Sequence, residues 1–300
     1  DFNILDLIDI EDSYLNSLEF TQGYQDVLIS ATRFSYIFNN QKTNKGRYAS
    51  FFIASAETAG NLLQLLDQVK PASTPENNKA GQYFGVPYSQ YFKIDLDYRH
   101  YTRFRQGQNL AWRVMGGYTQ TYGNTSGELP PFEKSYFAGG TGDLRGFRAY
   151  RLGPGNFEID EYEQEGTNSY IFNAVAPIKL MFNIEYRFTI LNELKGALFL
   201  DAGNIWYYND ERIKAPIDSL DENVEFYKFK FENITEQIAA SVGFGLRYDF
   251  TFFVFRLDAA IPLVDPRLPL DRRFTPKEPG YFGFNYQGDL RYPNTTNNYI

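Results

Sequence analysis

One loop decides the fold of this chain: Phe137-Ala-Gly-Gly-Thr-Gly-Asp-Leu-Arg-Gly-Phe147. It holds four glycines and a single arginine, Arg145, and segments in which apolar and polar residues alternate flank it on both sides. Glycine is used where the backbone must adopt a positive φ or approach another group closely. The composition therefore predicts a segment packed into a confined space rather than a slack surface connection.

The flanking segments alternate with a period of two, which is the pattern of β-strands. Over residues 241–250 every second residue is apolar, from Val242 to Phe250, and the positions between them are small or polar. The leucines at 62, 63, 65 and 66 leave residues 57–68 open between a short helix and a strand extension. The pattern predicts nine strands, over residues 22–40, 47–60, 88–105, 109–123, 173–192, 194–209, 236–250, 251–265 and 281–290.

Very short links between paired strands alternate with long polar connections at residues 70–87, 124–172 and 210–235. Transmembrane β-barrels have this asymmetry, and they carry aromatic residues at both membrane interfaces; this chain is 18% aromatic. A soluble β-sandwich also alternates, but its strands usually run about 5–6 residues, whereas the predicted strands are longer. The predicted fold class is therefore all-β, a transmembrane antiparallel β-barrel.

Composition excludes several other classes of protein. The net charge of −8 over 300 residues argues against a nucleic-acid partner, because binding to nucleic acid needs a basic surface. The absence of cysteine removes disulfide scaffolds, cysteine metal sites and thiol catalysis. Asp6, Asp9, Glu11 and Asp12 lack the spacing and glycine of a calcium loop, so no metal site is predicted.

A longer stretch around the loop carries a family resemblance. Leu129-Pro-Pro-Phe-Glu-Lys-Ser-Tyr-Phe-Ala-Gly-Gly-Thr-Gly-Asp-Leu-Arg-Gly-Phe147, continuing to Leu152-Gly-Pro154, resembles the signature loop of the BamA/TamA outer-membrane barrel family, also called the bacterial surface antigen family. Later segments resemble strands of that family in the same order: NIEYRF at 183–188, ALFLDAGN at 197–204, GFGLRYD at 243–249 and RLDAAIPL at 256–263.

The resemblance implies a sixteen-stranded barrel that follows periplasmic POTRA domains. The family's signature loop lies between strands eleven and twelve and folds into the barrel. Four predicted strands precede the loop here and five follow it, so residues 1–300 are expected to be the C-terminal part of a single barrel domain. The POTRA domains and roughly seven leading strands would then be absent.

The resemblance also implies a functional loop, formed by Gly139, Gly140, Leu144, Arg145, Gly146 and Phe147. Its arginine is expected to reach Glu185 and Asp201, which would anchor the loop to the barrel wall. Strand alternation supports this in part, because Glu185 lies on the polar side of its strand and an inward Asp201 leaves Leu198 and Leu200 facing lipid. The alternative is a solvated Arg145 with no partner on the wall.

The resemblance implies insertion or translocation of client proteins at the bacterial outer membrane, without a cofactor and without enzymatic chemistry. The expected partners are the lipid bilayer, unfolded outer-membrane proteins and accessory subunits of an assembly complex. A Ser–His–Asp enzyme is not expected, because the only histidine, His100, lies on the apolar side of its strand. A passive channel is the alternative, and charges predicted on the inner face suit it: Lys93, Asp95, Asp97, Arg99, Arg256 and Asp258.

Overall fold

The computed structural model describes residues 26–41, 46–69, 81–105, 107–157, 174–191, 193–209, 227–250, 252–270 and 273–274. Within them, eight long strands form one antiparallel sheet. These strands are β1 Ala31–Asn39, β2 Tyr48–Ala59, β3 Tyr91–Arg105, β4 Gln108–Thr121, β5 Ile178–Leu191, β6 Leu194–Trp206, β7 Ala239–Asp249 and β8 Val254–Val264. The ninth predicted strand, residues 281–290, lies outside the described residues.

The strands lie in the sheet in the same order as in the chain, so each long strand pairs with its sequence neighbours. The links β3–β4, β5–β6 and β7–β8 are short and lie at one end of the sheet, here called the short-turn end. Among the long strands of the described residues, β1 pairs only with β2 and β8 only with β7, so the sheet has two open edges.

The predicted strand limits hold within one residue at the short-turn end, except that the strand predicted from residue 251 begins at Val254, and most extend too far at the other end. The strand predicted from residue 22 begins at Ala31, because Leu28 instead forms a parallel bridge with Tyr88. The strand predicted from residue 236 begins at Ala239, since a helical turn, Ile234–Gln237, precedes it. Residues near the long connections thus bond to those connections and not to the neighbouring strand.

The sheet has one apolar face, here called the outer face. Cross-strand pairs such as Val114 with Phe182 and Leu198 with Phe244 continue it from strand to strand. Alternation places these side chains together on one side of the pleat. Its large exposed side chains are Phe34, Tyr36, Phe38, Phe92, Leu96, Val114, Tyr118, Leu180, Phe182, Leu198, Phe244, Tyr248, Phe255 and Leu257.

The opposite, inner face carries the long connection between β4 and β5, and the buried core lies between the two. Core side chains from the connection include Leu144, Phe147 and Leu152, and those from the sheet include Met181 and Ile205. Two short antiparallel pairs accompany the sheet: Gln82–Tyr83 with Val86–Pro87, and Tyr136–Phe137 with Val175–Ala176.

Helices are few and short in the described residues. α1, Asn61–Asp67, follows β2 directly, so the ambiguous leucine-rich segment is a helix and not a strand extension. α2 is the four-residue turn Ile234–Gln237, and 3₁₀ turns occupy Gly123–Thr125, Phe132–Lys134 and Phe231–Asn233. Neither α-helix is long and apolar enough to span a membrane.

Candidate functional site

The glycine-rich loop enters the inner face through two residues with left-handed backbone. Gly139 has φ 94° and Gly140 has φ 97°, a region that disfavours residues with a Cβ. The amide of Gly140 donates to the carbonyl of Phe147 at 2.9 Å, which closes the loop at its base. The two glycines therefore turn residues 141–146 toward the sheet.

Arg145 is clamped by two carboxylates of the inner face. Its Nε and one terminal nitrogen donate to the two oxygens of Asp201, each at 2.8 Å, in the bidentate geometry that matches a guanidinium to a carboxylate. Its other terminal nitrogen donates to Glu185 Oε2 at 2.8 Å. The side chain of Asp201 is fully buried, and those of Arg145 and Glu185 are nearly so.

The electrostatics of this clamp keep Arg145 charged. Burial of the guanidinium lowers its pKa, but the hydrogen bonds and charge of Asp201, followed by those of Glu185, raise it by more, so the net pKa lies above the ordinary arginine value. Asp201 also accepts the backbone amide of Arg145 at 3.2 Å. The structure thus brings together the three charged residues that the sequence predicted to meet.

An aromatic ring forms the floor of the clamp. The guanidinium carbon of Arg145 lies 3.4 Å from the centroid of the Phe199 ring, a cation–π contact. The Phe199 ring in turn occupies the space above Gly243 on the neighbouring strand, where a Cβ would overlap it. Gly243 therefore makes room for the ring on which Arg145 lies.

The loop tip around Arg145 is also fixed by two more residues of β5 and by one residue of β4. Lys179 on β5 donates to Asp143 Oδ2 at 2.8 Å and to the carbonyl of Phe137 at 2.7 Å. Asn183, also on β5, donates to the carbonyl of Asp143 at 2.8 Å, and Arg113 on β4 donates to the carbonyl of Gly142 at 3.1 Å. Burial raises the pKa of Asp143 above its usual range, although the charge of Lys179 acts in the opposite direction.

The remaining predicted loop residues pack closely against the wall. The amide of Gly146 donates to Ser241 Oγ on β7 at 3.2 Å, and a Cβ on Gly146 would lie 2.5 Å from the Cβ of Ser241. Leu144 is completely buried and Phe147 is 5% exposed, both in the main core. The loop tip is therefore held by apolar packing as well as by charge.

A second anchor, which the sequence analysis did not predict, lies upstream in the same connection. Lys134 Nζ donates to Glu57 Oε1 on β2 at 2.8 Å, and Tyr136 Oη donates to Asp95 Oδ1 on β3 at 2.6 Å. The Tyr136 ring lies over Gly117 on β4, where a Cβ would overlap it. Burial, followed by the hydrogen bond to Asp95, raises the pKa of Tyr136, so the phenol stays protonated and donates.

Two signals in the sequence could have found this anchor. Glu57 is a carboxylate near the end of an otherwise apolar and small-residue strand, and Lys134 and Tyr136 lie inside the stretch that resembles the family signature. The structure pairs Arg99 and Arg113 with Asp97, while Asp95 bonds to Tyr136.

The single histidine, His100, lies apart from the clamp. His100 lies on the outer face in an aromatic cluster, with its ring centroid 6.1 Å from that of Tyr48 and 5.6 Å from that of Trp112. In the ranges that the structure describes, no three His, Asp or Glu side chains are grouped so as to hold a metal ion. The clamp itself is built from ion pairs and hydrogen bonds between the loop and the wall.

Comparison with solved structures identifies the fold. The chain is similar to a crystal structure of BamA from Haemophilus ducreyi lacking POTRA domains 1–3, with a TM-score of 0.50 and 18% sequence identity. The match covers 85% of this chain and 44% of the BamA chain, so this chain spans less than half of that relative. The predicted fold class is confirmed: an all-β chain whose antiparallel strands match those of a BamA barrel.

The family of the chain follows from its sequence together with this fold. Residues 72–276, which include both anchors' loop residues and strands β3 to β8, match the Omp85 superfamily domain. This match covers more than half of the 300 residues, and it agrees with the resemblance of the loop and strand motifs to the BamA/TamA family. The chain belongs to the Omp85 superfamily.

Proposed function

We propose that this chain forms part of an outer-membrane barrel that inserts or translocates client proteins without enzymatic chemistry or a cofactor. Membership of the Omp85 superfamily and the likeness to a BamA barrel support a place in the bacterial outer membrane. The clients would be unfolded outer-membrane proteins, and accessory subunits would complete the assembly. An exposed strand edge can template an incoming strand through main-chain hydrogen bonds, and such a contact needs no covalent step.

The observation that carries this proposal is the buried clamp of Arg145 on Asp201 and Glu185. It fixes a loop across the inner face of the sheet, where a passive pore would need open space. Removing one partner of a buried ion pair costs about 3–5 kcal/mol, because the other charges stay buried and unpaired. A fold that keeps such a pair places a strong constraint on the position of the loop.

The test is Arg145→Ala in the full-length protein, reconstituted in lipid vesicles and assayed for insertion of an outer-membrane client. We expect the rate of client insertion to fall at least tenfold. A loss of about 1.4 kcal/mol already corresponds to a factor of ten, and this is less than half of the cost of removing one partner of the buried pair. The matched control is Arg148→Ala, which removes an exposed arginine three positions further along the same loop. Heat-modifiable migration in electrophoresis checks that both variants still form a folded barrel.

Charge reversal gives the outcome that would contradict the proposal. If Arg145→Glu inserts clients at the wild-type rate with a normally ordered loop, the clamp has no role in function. If Arg145→Ala and Arg148→Ala lose activity equally, the effect belongs to the general charge of the loop and not to the clamp.

A passive channel is the second candidate, and the polar inner face favours it. Lys93, Asp97 and Arg99 lie on that face with Arg256 and Asp258. Deletion of residues 139–147 separates the two functions. A channel would keep its conductance or gain some, whereas an assembly factor would lose client insertion while the barrel remained folded.

A further inference from the structure

Five of the arginines on the inner face lie close together toward the short-turn end, although the whole chain carries a net charge of −8. We call them the basic wall: Arg99, Arg113, Arg187, Arg247 and Arg256. Arg99 lies directly opposite Arg113 in the β3–β4 ladder, and Arg247 lies directly opposite Arg256 in the β7–β8 ladder. Like charges in directly opposed positions destabilise a sheet, so each of these pairs needs a carboxylate beside it.

The carboxylates that contact the basic wall are fewer than its arginines in the described residues. Asp97 lies 2.8 Å from Arg99 and 2.7 Å from Arg113, so one carboxylate is shared by two guanidinium groups. Glu185 contacts both Arg187 and Arg247, and it also accepts from the loop residue Arg145. Asp258 contacts Arg256. Three carboxylates thus serve five arginines, and the wall keeps an excess of positive charge.

Part of this excess charge faces an open cavity. A space of about 210 Å³ lies between the wall and the loop tip, and its charged lining consists of four wall arginines with Arg145 and of two carboxylates: Arg99, Arg113, Arg187, Arg256, Arg145, Asp143 and Glu185. The side chains of Arg99 and Arg187 are 38% exposed and that of Arg256 is 42% exposed. A guanidinium has five N–H donors, so each of these arginines can bind a further carboxylate while keeping its present partner.

We propose that the basic wall binds acidic stretches of the client polypeptide, a role that rests on the function proposed above. A carboxylate side chain is the anion that a guanidinium binds in bidentate fashion within a polypeptide. A lipid phosphate fits less well, because its acyl chains need apolar surface, and the large exposed apolar surface lies on the outer face. The basic wall would thus bind clients that carry acidic stretches before the strands of the client pair with the barrel.

The test measures binding directly, without client insertion. The full-length protein in detergent is titrated into a fluorescein-labelled peptide rich in glutamate, and anisotropy is followed at low and at high salt. A peptide of the same length with lysine in place of glutamate is the matched probe. We expect the acidic peptide to bind at least tenfold more tightly than the basic one, and added salt to weaken its binding, because mobile ions screen exposed charges.

Variants assign the binding to the wall. Arg99→Gln combined with Arg256→Gln should weaken binding of the acidic peptide by roughly fivefold to tenfold, in line with two partly exposed ion pairs. The pair Arg99→Lys and Arg256→Lys should retain most of it, because the charge stays. Arg148→Gln is the control for charge elsewhere on the protein and should leave binding unchanged.

Three results would overturn the inference: equal affinity for the two peptides, no loss in the double glutamine variant, or displacement of the acidic peptide by inorganic phosphate at an equal concentration of charge. The last result would identify a general anion site. Loss of client insertion with intact peptide binding would count against the proposed function and not against the basic wall. Intact insertion with no peptide binding would count against the basic wall alone.

Discussion

Arg145 lies 3.4 Å above the ring of Phe199, and the same guanidinium is hydrogen-bonded to Asp201 from its edge. Its face and its edge are therefore both occupied, by an aromatic ring and by carboxylates. A guanidinium suits this arrangement because it is planar and weakly hydrated, and a lysine ammonium could not reproduce it. The clamp is thus specific for arginine and not for positive charge in general.

Replacing Phe199 tests the ring contact apart from the charges. Phe199→Leu should lower the free energy of unfolding by about 2 kcal/mol, because a desolvated cation–π contact contributes up to about that amount. Urea unfolding of the lipid-embedded protein measures it. In a double-mutant cycle with Arg145→Gln, the two losses should be less than additive, since the second change removes a contact that the first has already lost. Strict additivity would mean that the ring and the guanidinium do not interact.

Gly146 and Gly142 give a matched pair of loop variants. A Cβ at Gly146 would press on Ser241 and lie 3.0 Å from the backbone of Ile261, whereas a Cβ at Gly142 has nothing within 4 Å. Gly146→Ala should displace the loop tip from β7, and Gly142→Ala should leave it in place. Amide hydrogen exchange of residues 139–147 reports the difference, because the Gly146 amide donates to Ser241. Equal exchange in the two variants would contradict the close approach.

Gly117 and Gly116 are a second matched pair, and they test the upstream anchor. A Cβ at Gly117 would overlap the Tyr136 ring, and a Cβ at Gly116 meets nothing within 4 Å. Gly117→Ala should cost about 1–3 kcal/mol, the usual cost of overpacking, and should expose the connection to protease by moving Tyr136 away from Asp95. Gly116→Ala serves as the control for an alanine in the same strand. If the two variants unfold alike, Tyr136 is not held over Gly117.

Asp143 should leave a signature in the pH dependence of stability. Its pKa in the folded protein lies above that of the unfolded chain, because burial disfavours the carboxylate. As the pH falls, the carboxyl group of Asp143 is therefore protonated in the folded state before it is protonated in the unfolded chain. The free energy of unfolding rises as the pH falls from the raised pKa of the folded state to the ordinary pKa of the unfolded chain. As the pH is lowered from neutral to about 4, the free energy of unfolding of the wild-type protein should rise relative to that of Asp143→Asn. A difference that does not change with pH would contradict the raised pKa.

Alternation alone predicted the strands where both faces have a clear character. Leu180, Phe182 and Ile184 oppose Met181, Asn183 and Glu185, and the structure contains that strand as β5. The same pattern extended the strands too far near the long connections. Pro177 and Val175 look like a continuation of β5, but Val175 pairs with Phe137 in a separate short ladder. A period of two in the apolar residues indicates that a segment is extended, but it does not indicate which other segment it pairs with.

The family resemblance implied the clamp, whereas the residues of the upstream anchor were recognisable in the sequence but their pairing was not. The resemblance of the loop to the family signature implied that Arg145 reaches Glu185 and Asp201, and strand alternation supported an inward position for both carboxylates. For Tyr136 and Lys134 the sequence offers more than one carboxylate that alternation places on the inner face, among them Asp95 and Asp97. Choosing between them requires the register between β2, β3 and β4 and the position of the Tyr136 ring, which depends on Gly117.

Each long strand of this sheet is hydrogen-bonded only to the strands beside it. A change in the angle between two neighbouring strands therefore does not by itself change the angle between two strands further along. The connection between β4 and β5 is different, because it bonds to Glu57 on β2 at one side and to Ser241 on β7 at the other. Five strand-to-strand junctions lie between those two contacts. The curvature of this part of the wall is thus set by the length and fit of one loop, and releasing either anchor would let the two halves of the sheet bend independently.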